Sequence, residues 1–201
     1  MKTNIKDEIL ETAKELFNKQ GYEAVSMRDI AAGVGISVGN LTYHYPKKTD
    51  IVLALMTRTR YPEMQNQNIQ TLADLDNYIR RLLASVIDHF FYFRHVGYFM
   101  TEPALKESEK ANSIVVRENF MLGLNNLKVN GYFTDSFTPE LSRALGNFMM
   151  LSHYNWAQYA ILRDENVDEA VEAFTLDHWK VLKVFFTEKG RAEYASLSEK
   201  S

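Results

Sequence analysis

Three observations predict an all-α fold. Apolar residues recur at helical spacing over most of the chain. Ser, Thr, Asn or Pro stands where such stretches begin and Gly where they end, and no window of alternating apolar and polar residues competes for a strand. At 201 residues the chain has material for one large or two small domains. With 4 Pro, 9 Gly, 46% apolar and 24% charged residues, a disordered or collagenous chain is excluded. Cysteine is absent, which removes disulfides, thiolate nucleophiles and Cys-ligated zinc or iron–sulfur centres and suits a reducing compartment. The first residues are charged throughout, so no signal peptide is expected and cytoplasm is the expected location. The longest stretch free of Asp, Glu, Lys and Arg is Ala144–Leu162, 19 residues, close to a membrane span in length. Asn147, Ser152, His153, Asn155 and Gln158 interrupt it, so a helix buried in protein is expected and no membrane partner.

The chain divides by charge and aromatic content. Residues 1–60 hold 9 Lys/Arg against 7 Asp/Glu, whereas the remainder is net acidic; only Phe17, Tyr22, Tyr43 and Tyr45 are aromatic in the front part. Ile5, Ile9, Ala13, Leu16 and Phe17 predict an amphipathic first helix closed by Gln20-Gly21. Ser26, with Asp29 three positions on, caps a short second helix whose stripe is Ile30, Ala31 and Val34 and which Gly35 ends. Ser37 caps a third, stopped at Tyr45 because Pro46 disfavours helical geometry in the residue before it. Such a rod, roughly 13 Å long, fits a DNA major groove.

Behind it, Leu75, Ile79, Leu82, Val86, Phe90 and Phe93 predict one helix from Leu72 to His95. Another begins near Thr101-Glu102-Pro103 and ends at Asn130-Gly131. The next starts at Thr138-Pro139 and contains the uncharged run. The last is capped by Asn166, with Glu169 three residues later, and is expected to stop at Gly190.

Two short helices joined by a glycine turn after a longer support form a helix-turn-helix, whose second helix enters the major groove. On a helical wheel Leu41 and Tyr45 face the front core, while Gly39 and Tyr43 lie opposite, flanked by Asn40 and Thr42. Gly39 permits close backbone approach. Asn40 can pair bidentately with adenine, and Thr42 offers a methyl to thymine or a hydroxyl to phosphate. Tyr43 and His44 suit phosphate, with Lys47 and Lys48 adding charge just beyond. Gly21-Tyr22, Ser26-Met27-Arg28-Asp29-Ile30-Ala31, the run Val34 to Tyr45 and Lys48 together resemble the TetR family of bacterial transcriptional regulators over about the first 55 residues. The resemblance implies an all-α homodimer: a three-helix DNA-binding domain over residues 1–47, then a regulatory and dimerisation domain over 48–201, with 48–61 as connecting helix. It implies DNA contacts from Ser26, Arg28, Ser37, Val38, Gly39, Asn40, Thr42, Tyr43, His44 and Lys48. Thr42 stands where the family usually has Tyr, and Val38 where it often has Lys.

His89, Phe90 and Phe93 on one long helix, and Met149, His153 and Trp156 on another, are candidates to wall an apolar small-molecule site, although aromatic stripes at helical spacing are more often core. The family resemblance also implies that the last two long helices pair with their copies; the breadth of their apolar stripes agrees. The five histidines show no i, i+4 pair, and no HExxH, GxSxG, GxGxxG or P-loop occurs, so neither metal, cofactor nor catalytic residues are expected. The resulting expectation is a ligand-responsive repressor. It would bind a palindromic double-stranded operator as a homodimer and be released by a small, largely apolar effector. The alternatives are a DNA-binding dimer without an effector, and a helical binding module that uses the fold as scaffold.

Overall fold

The computed structural model describes residues 4–60, 65 and 67–198. Its regular elements are helical, with one isolated bridge between Phe133 and Phe186 among the described residues. Two compact units interleave along the chain: Met1–Glu63 with Asp88–Ala111, and Met64–Ile87 with Asn112–Ser201. This partition by packing differs in kind from the division at 47/48, which concerns roles.

In the first unit, α1 (Ile5–Gln20) is capped by Asn4, whose side chain accepts from the Lys6 amide, and buries Ile9, Leu10, Ala13 and Phe17. α2 (Met27–Val34) carries the expected Ser26/Asp29 capping box and ends at Gly35, left-handed at φ +78°, where a residue without Cβ is favoured. α3 (Val38–His44) is capped by the Ser37 hydroxyl, 3.1 Å from the Asn40 amide, and ends before Pro46. α4 (Lys48–Leu55) runs into a π-helical turn, Met56–Arg60. The connecting helix expected to reach residue 61 is thus α-helical only to Leu55, and Tyr61 lies outside the described residues.

The helix expected from Leu72 to His95 is broken. α5 (Leu72–Asp88) stops, and two short helices follow, α6 (Phe90–Arg94) and α7 (Val96–Phe99), with non-helical backbone at His89 and His95. The cause is a partner 70 residues away. The Asn18 side chain donates to the Asp88 carbonyl at 2.8 Å and accepts from the Phe91 amide at 3.0 Å, so groups freed by the break are satisfied by α1. Lys14 adds a 2.9 Å ion pair to Asp88. Burial acts to lower this ammonium, but Asp88 and Glu11 outweigh it and the net shift is upward. Phe17 packs on Tyr22 and Phe91, and Tyr22 on Phe99, at ring distances of 5.2, 5.1 and 4.8 Å. Each such buried ring contributes on the order of 1.5–3 kcal/mol. Residues 88–111 are therefore built onto the three-helix head. Arg60, at the end of the π turn, is buried against Glu109 at 3.4 Å, with the Tyr92 hydroxyl donating to the same carboxylate and the Phe93 ring beneath the guanidinium.

The second unit packs α5, the later part of α8 (Pro103–Val129), α9 (Pro139–Leu162), α10 (Val167–Leu182) and α11 (Glu188–Ser198). The Tyr78 hydroxyl donates to the Val116 carbonyl at 2.9 Å, the Trp179 indole to Asp76 at 2.7 Å, and Arg80 pairs with Asp76 and Glu172. The last predicted helix does not run to Gly190. α10 gives way to a 3-10 turn at Lys183–Phe185; the Phe185 carbonyl then accepts from Thr134 and the Thr187 amide donates to Tyr132. Gly190 lies inside α11, where a Cβ would overlap the Tyr132 carbonyl oxygen, so this glycine serves close approach rather than termination. Among the described residues no helix is long and apolar enough to cross a membrane.

Candidate nucleic-acid interface

The two faces of α3 separate as its sequence requires. Leu41 and Tyr45 are buried, whereas Gly39 and Asn40 are exposed and Tyr43 is 83% exposed. Leu41 and Tyr45 fix the rod, and their burial leaves the opposite face to solvent. Tyr43 meets the His44 ring edge-on at 5.2 Å. Val38 is exposed, and Gly39 has helical backbone with only the Ser37 hydroxyl, 3.9 Å away, near where a Cβ would stand, so neither chain geometry nor packing requires glycine there. Thr42 donates its hydroxyl to the Val38 and Gly39 carbonyls at 3.0 and 3.2 Å. Of the two contacts open to it, the methyl is therefore the group left for a partner.

Around the rod, the polar groups are more committed. Ser26 accepts from the Asp29 amide, and its hydroxyl and amide both donate to the Asp29 carboxylate at 2.6 and 2.8 Å. The hydroxyl first and the amide second hold this carboxyl below the usual range. The α2 N-terminus thus carries its own anion. Ser37 keeps its O–H proton, since its oxygen only accepts from Asn40. Arg28 is exposed. Lys48 donates to the Tyr22 and Val25 carbonyls at 2.6 and 2.7 Å and lies 4.0 Å from the Tyr22 ring centre. Burial lowers its pKa, with Glu23 opposing. Two of its three N–H groups therefore pin the turn before α2, and one remains.

The residues singled out for a small-molecule site fall into different units. His89, Phe90 and Phe93 belong to the first; His89 is buried beside Asp88 at 3.4 Å, Phe90 is half-buried and Phe93 lies under Arg60. Met149, His153 and Trp156 belong to the second and are buried. There an apolar groove of about 240 Å³ is walled by Phe120, Leu145, Phe148, Met149, Phe174, Val181 and Leu182, with Ser152, Asp177 and His178 as its polar members. A separate recess of about 10 Å³, sharing Met149, Ser152, Phe174 and His178 with the groove, is lined also by His153. Trp156 stacks on Phe174 with ring centres 6.1 Å apart and is absent from both linings. Phe174, Asp177 and His178 escaped the sequence reading because α10 carries apolar residues on several sides, so periodicity does not say which of them edge a groove. Among the described residues no group of three or more metal-ligating side chains occurs.

A short rod with an open polar face, held by two helices and a glycine turn, is the reading element of the helix-turn-helix class of DNA-binding proteins. Residues 9–55 match the family model described as "Bacterial regulatory proteins, tetR family". Over 53 residues it is 43% identical to the HTH-type transcriptional regulator QacR of Staphylococcus aureus, covering 26% of this chain and 28% of that protein. Over 49 residues it is 41% identical to the HTH-type transcriptional repressor KstR2 of Mycobacterium tuberculosis, covering 24% of each. The chain thus spans about a quarter of the length of these curated relatives, which are named a transcriptional regulator and a transcriptional repressor. The crystal structure of a TetR-family transcriptional regulator from Marinobacter aquaeolei VT8 shares the fold over 98% of both chains, with a TM-score of 0.83 at 22% identity.

Proposed function

We propose that the protein is a transcriptional repressor that binds a palindromic operator as a homodimer and is released by a small, largely apolar effector. The observation that carries this reading is the face of α3: Gly39, Asn40 and Tyr43 stand open to solvent on a rod whose other side is locked by Leu41 and Tyr45. Residues 1–47 would read DNA and residues 48–201 regulate and dimerise. Arg28, Ser37, Val38, Thr42, His44 and Lys48 would supply phosphate or edge contacts, and Ser26 would do so only by exchanging its bond to Asp29 for one to phosphate. Two copies would place their rods in successive major grooves, about 34–36 Å apart.

A second exposed face supports the dimer. On α9, Phe148 and Leu162 are 68% and 78% exposed, and Leu151 and Tyr159 lie on the same side; beyond α10, Val184 is 70% exposed. A row of large apolar side chains on adjacent helices favours covering by another protein surface. Repression is favoured by the name of the KstR2 relative. An effector would act by binding one conformer better than another, and its greatest effect equals that difference in affinity. Residues 88–111, clasped to α1 through Asn18, give such a shift a covalent and hydrogen-bonded route to the head. A DNA-binding dimer with no effector is favoured by one observation, the groove's modest 240 Å³, below the roughly 300 Å³ of ordinary ligand sites.

The test is fluorescence polarisation with an inverted repeat from the DNA upstream of the protein's own gene. Binding on the order of a thousandfold tighter than to a scrambled duplex is expected. Equal affinity for both duplexes would overturn the reading.

A further inference from the structure

We propose that Val38 and Thr42 form a hydrocarbon edge on α3 that reads the methyl group of thymine, so that each operator half-site carries thymine beneath this edge. This rests on the reading of α3 as the rod that contacts DNA, and it adds the identity of a base and the residues that select it.

Residues four apart on a helix lie one above the other on the same face. The side of α3 away from Leu41 and Tyr45 is therefore built of columns: Val38 with Thr42, Gly39 with Tyr43, and Asn40 with His44. Their chemistry differs. The Gly39 and Asn40 columns carry the phenol hydroxyl, the amide and the imidazole, whereas Val38 is exposed and its side chain has no polar atom. Thr42 is half-buried, and its single O–H proton is directed at the Val38 and Gly39 carbonyls, 3.0 and 3.2 Å away. Having donated into its own helix, it keeps no proton for a phosphate or a base oxygen, and what it adds to the column is its methyl. Hydrocarbon set against a phosphate, a base carbonyl or an amino group would strip water from it without replacing the bond. In the major groove adenine, guanine and cytosine present hydrogen-bonding atoms, and thymine is the base that also presents a methyl. The N-terminal residues of a recognition helix come nearest to base edges, and Val38 is the first residue of α3. An apolar column starting at that end of the rod matches thymine.

Fluorescence polarisation on the full chain tests this with the upstream inverted-repeat duplex, prepared either with thymine or with 2′-deoxyuridine at every thymine of both half-sites. The two duplexes pair identically and differ only in the methyl groups. Losing one methyl contact per half-site should weaken binding about 15-fold. The same exchange in a scrambled duplex should change affinity by less than about twofold, because contacts to phosphate carry it. Val38→Ala combined with Thr42→Ser removes the hydrocarbon and keeps the hydroxyl; this variant should bind both operator duplexes within about twofold of each other. Thr42→Val keeps a methyl and removes the hydroxyl, and should retain the preference for thymine. Should the double variant fail to fold, the uridine comparison in the unsubstituted chain decides. Half-sites without thymine, equal affinity for the two operator duplexes, an equal loss in the scrambled duplex, or a preference that survives in the double variant would each overturn the proposal. Its failure is distinct from that of the reading beneath it: operator preferred over scrambled duplex but indifferent to uridine removes the thymine edge and leaves α3 on DNA, whereas equal affinity for operator and scrambled duplex sinks both.

Discussion

The protein exposes two surfaces of opposite chemistry, one on each unit. On α3 the open face is short and polar, with a glycine at its centre and one aromatic hydroxyl, Tyr43, standing clear. On α9 and beyond α10 the open face is long and apolar, carrying Phe148, Leu151, Tyr159, Leu162 and Val184. Both faces are backed by buried residues that fix them: Leu41 and Tyr45 behind the first, and Met149, His153, Trp156, Ala157 and Ala160 behind the second. Exposure alone therefore does not name a partner. A polar face with few groups committed inside its own helix suits a hydrated, charged polymer, whereas a row of hydrocarbon must leave water and suits another protein surface.

The largest effect is expected at the apolar face. Leu151→Arg combined with Val184→Arg places charges on side chains that touch solvent in a single copy, so the fold should survive while the proposed pair of subunits separates. Light scattering should show the monomer mass, and operator affinity should fall by about 10²–10⁴-fold because the two heads no longer bind as one. A dimer of unchanged affinity would show that this face has another use. At the polar face, Tyr43→Ala should leave the melting curve unchanged and weaken operator binding roughly 5- to 150-fold, read by polarisation. Unaltered affinity would remove α3 from the interface.

Lys48 tests where the polar face ends. Lys48→Met abandons two part-buried carbonyls, those of Tyr22 and Val25, and should destabilise the chain by about 1–3 kcal/mol in chemical denaturation. If its remaining N–H also meets phosphate, the slope of log affinity against log salt should flatten by about one unit. Loss of stability without a change in slope would make Lys48 a purely internal clasp. The Asp29 carboxyl gives a pH signature to the same region. Its folded pKa is depressed, so its contribution is present above the ordinary carboxylate value near 4 and is lost as pH falls through the depressed one. Melting temperature measured downward from pH 5 should therefore fall more steeply in the unsubstituted chain than in Asp29→Asn.

Much of the polar face was legible in the sequence, because caps and short-range periodicity are local. Ser26, Gly35, Ser37 and the Leu41/Tyr45 pair act within one or two turns of their own position. The rest was not, because its causes are distant. The break after Asp88 depends on Asn18, the close approach at Gly190 depends on Tyr132, and the groove depends on Phe174 and His178 meeting Met149 and Ser152. No periodicity within α5 or α10 announces those partners. Thr42 shows the same limit in miniature: its type offers two contacts, and only the bonds to Val38 and Gly39 show that the hydroxyl is already spent.

Gly39 gives the smallest effect and divides the two explanations most cleanly. Its backbone is helical, its φ is not in the left-handed region, and nothing but the Ser37 hydroxyl lies within 4 Å of where a Cβ would be. On folding grounds alone alanine is the better residue, since glycine in a helix gives up more backbone freedom by about 0.5–1 kcal/mol. Gly39→Ala should accordingly raise stability by that amount in denaturant titration. If glycine is there to let the α3 backbone approach a groove wall, the same methyl should weaken operator binding several-fold. A gain in stability with no loss of affinity would mean that the rod stands farther from DNA than its open face implies, and would shift the close contacts to Asn40 and Tyr43.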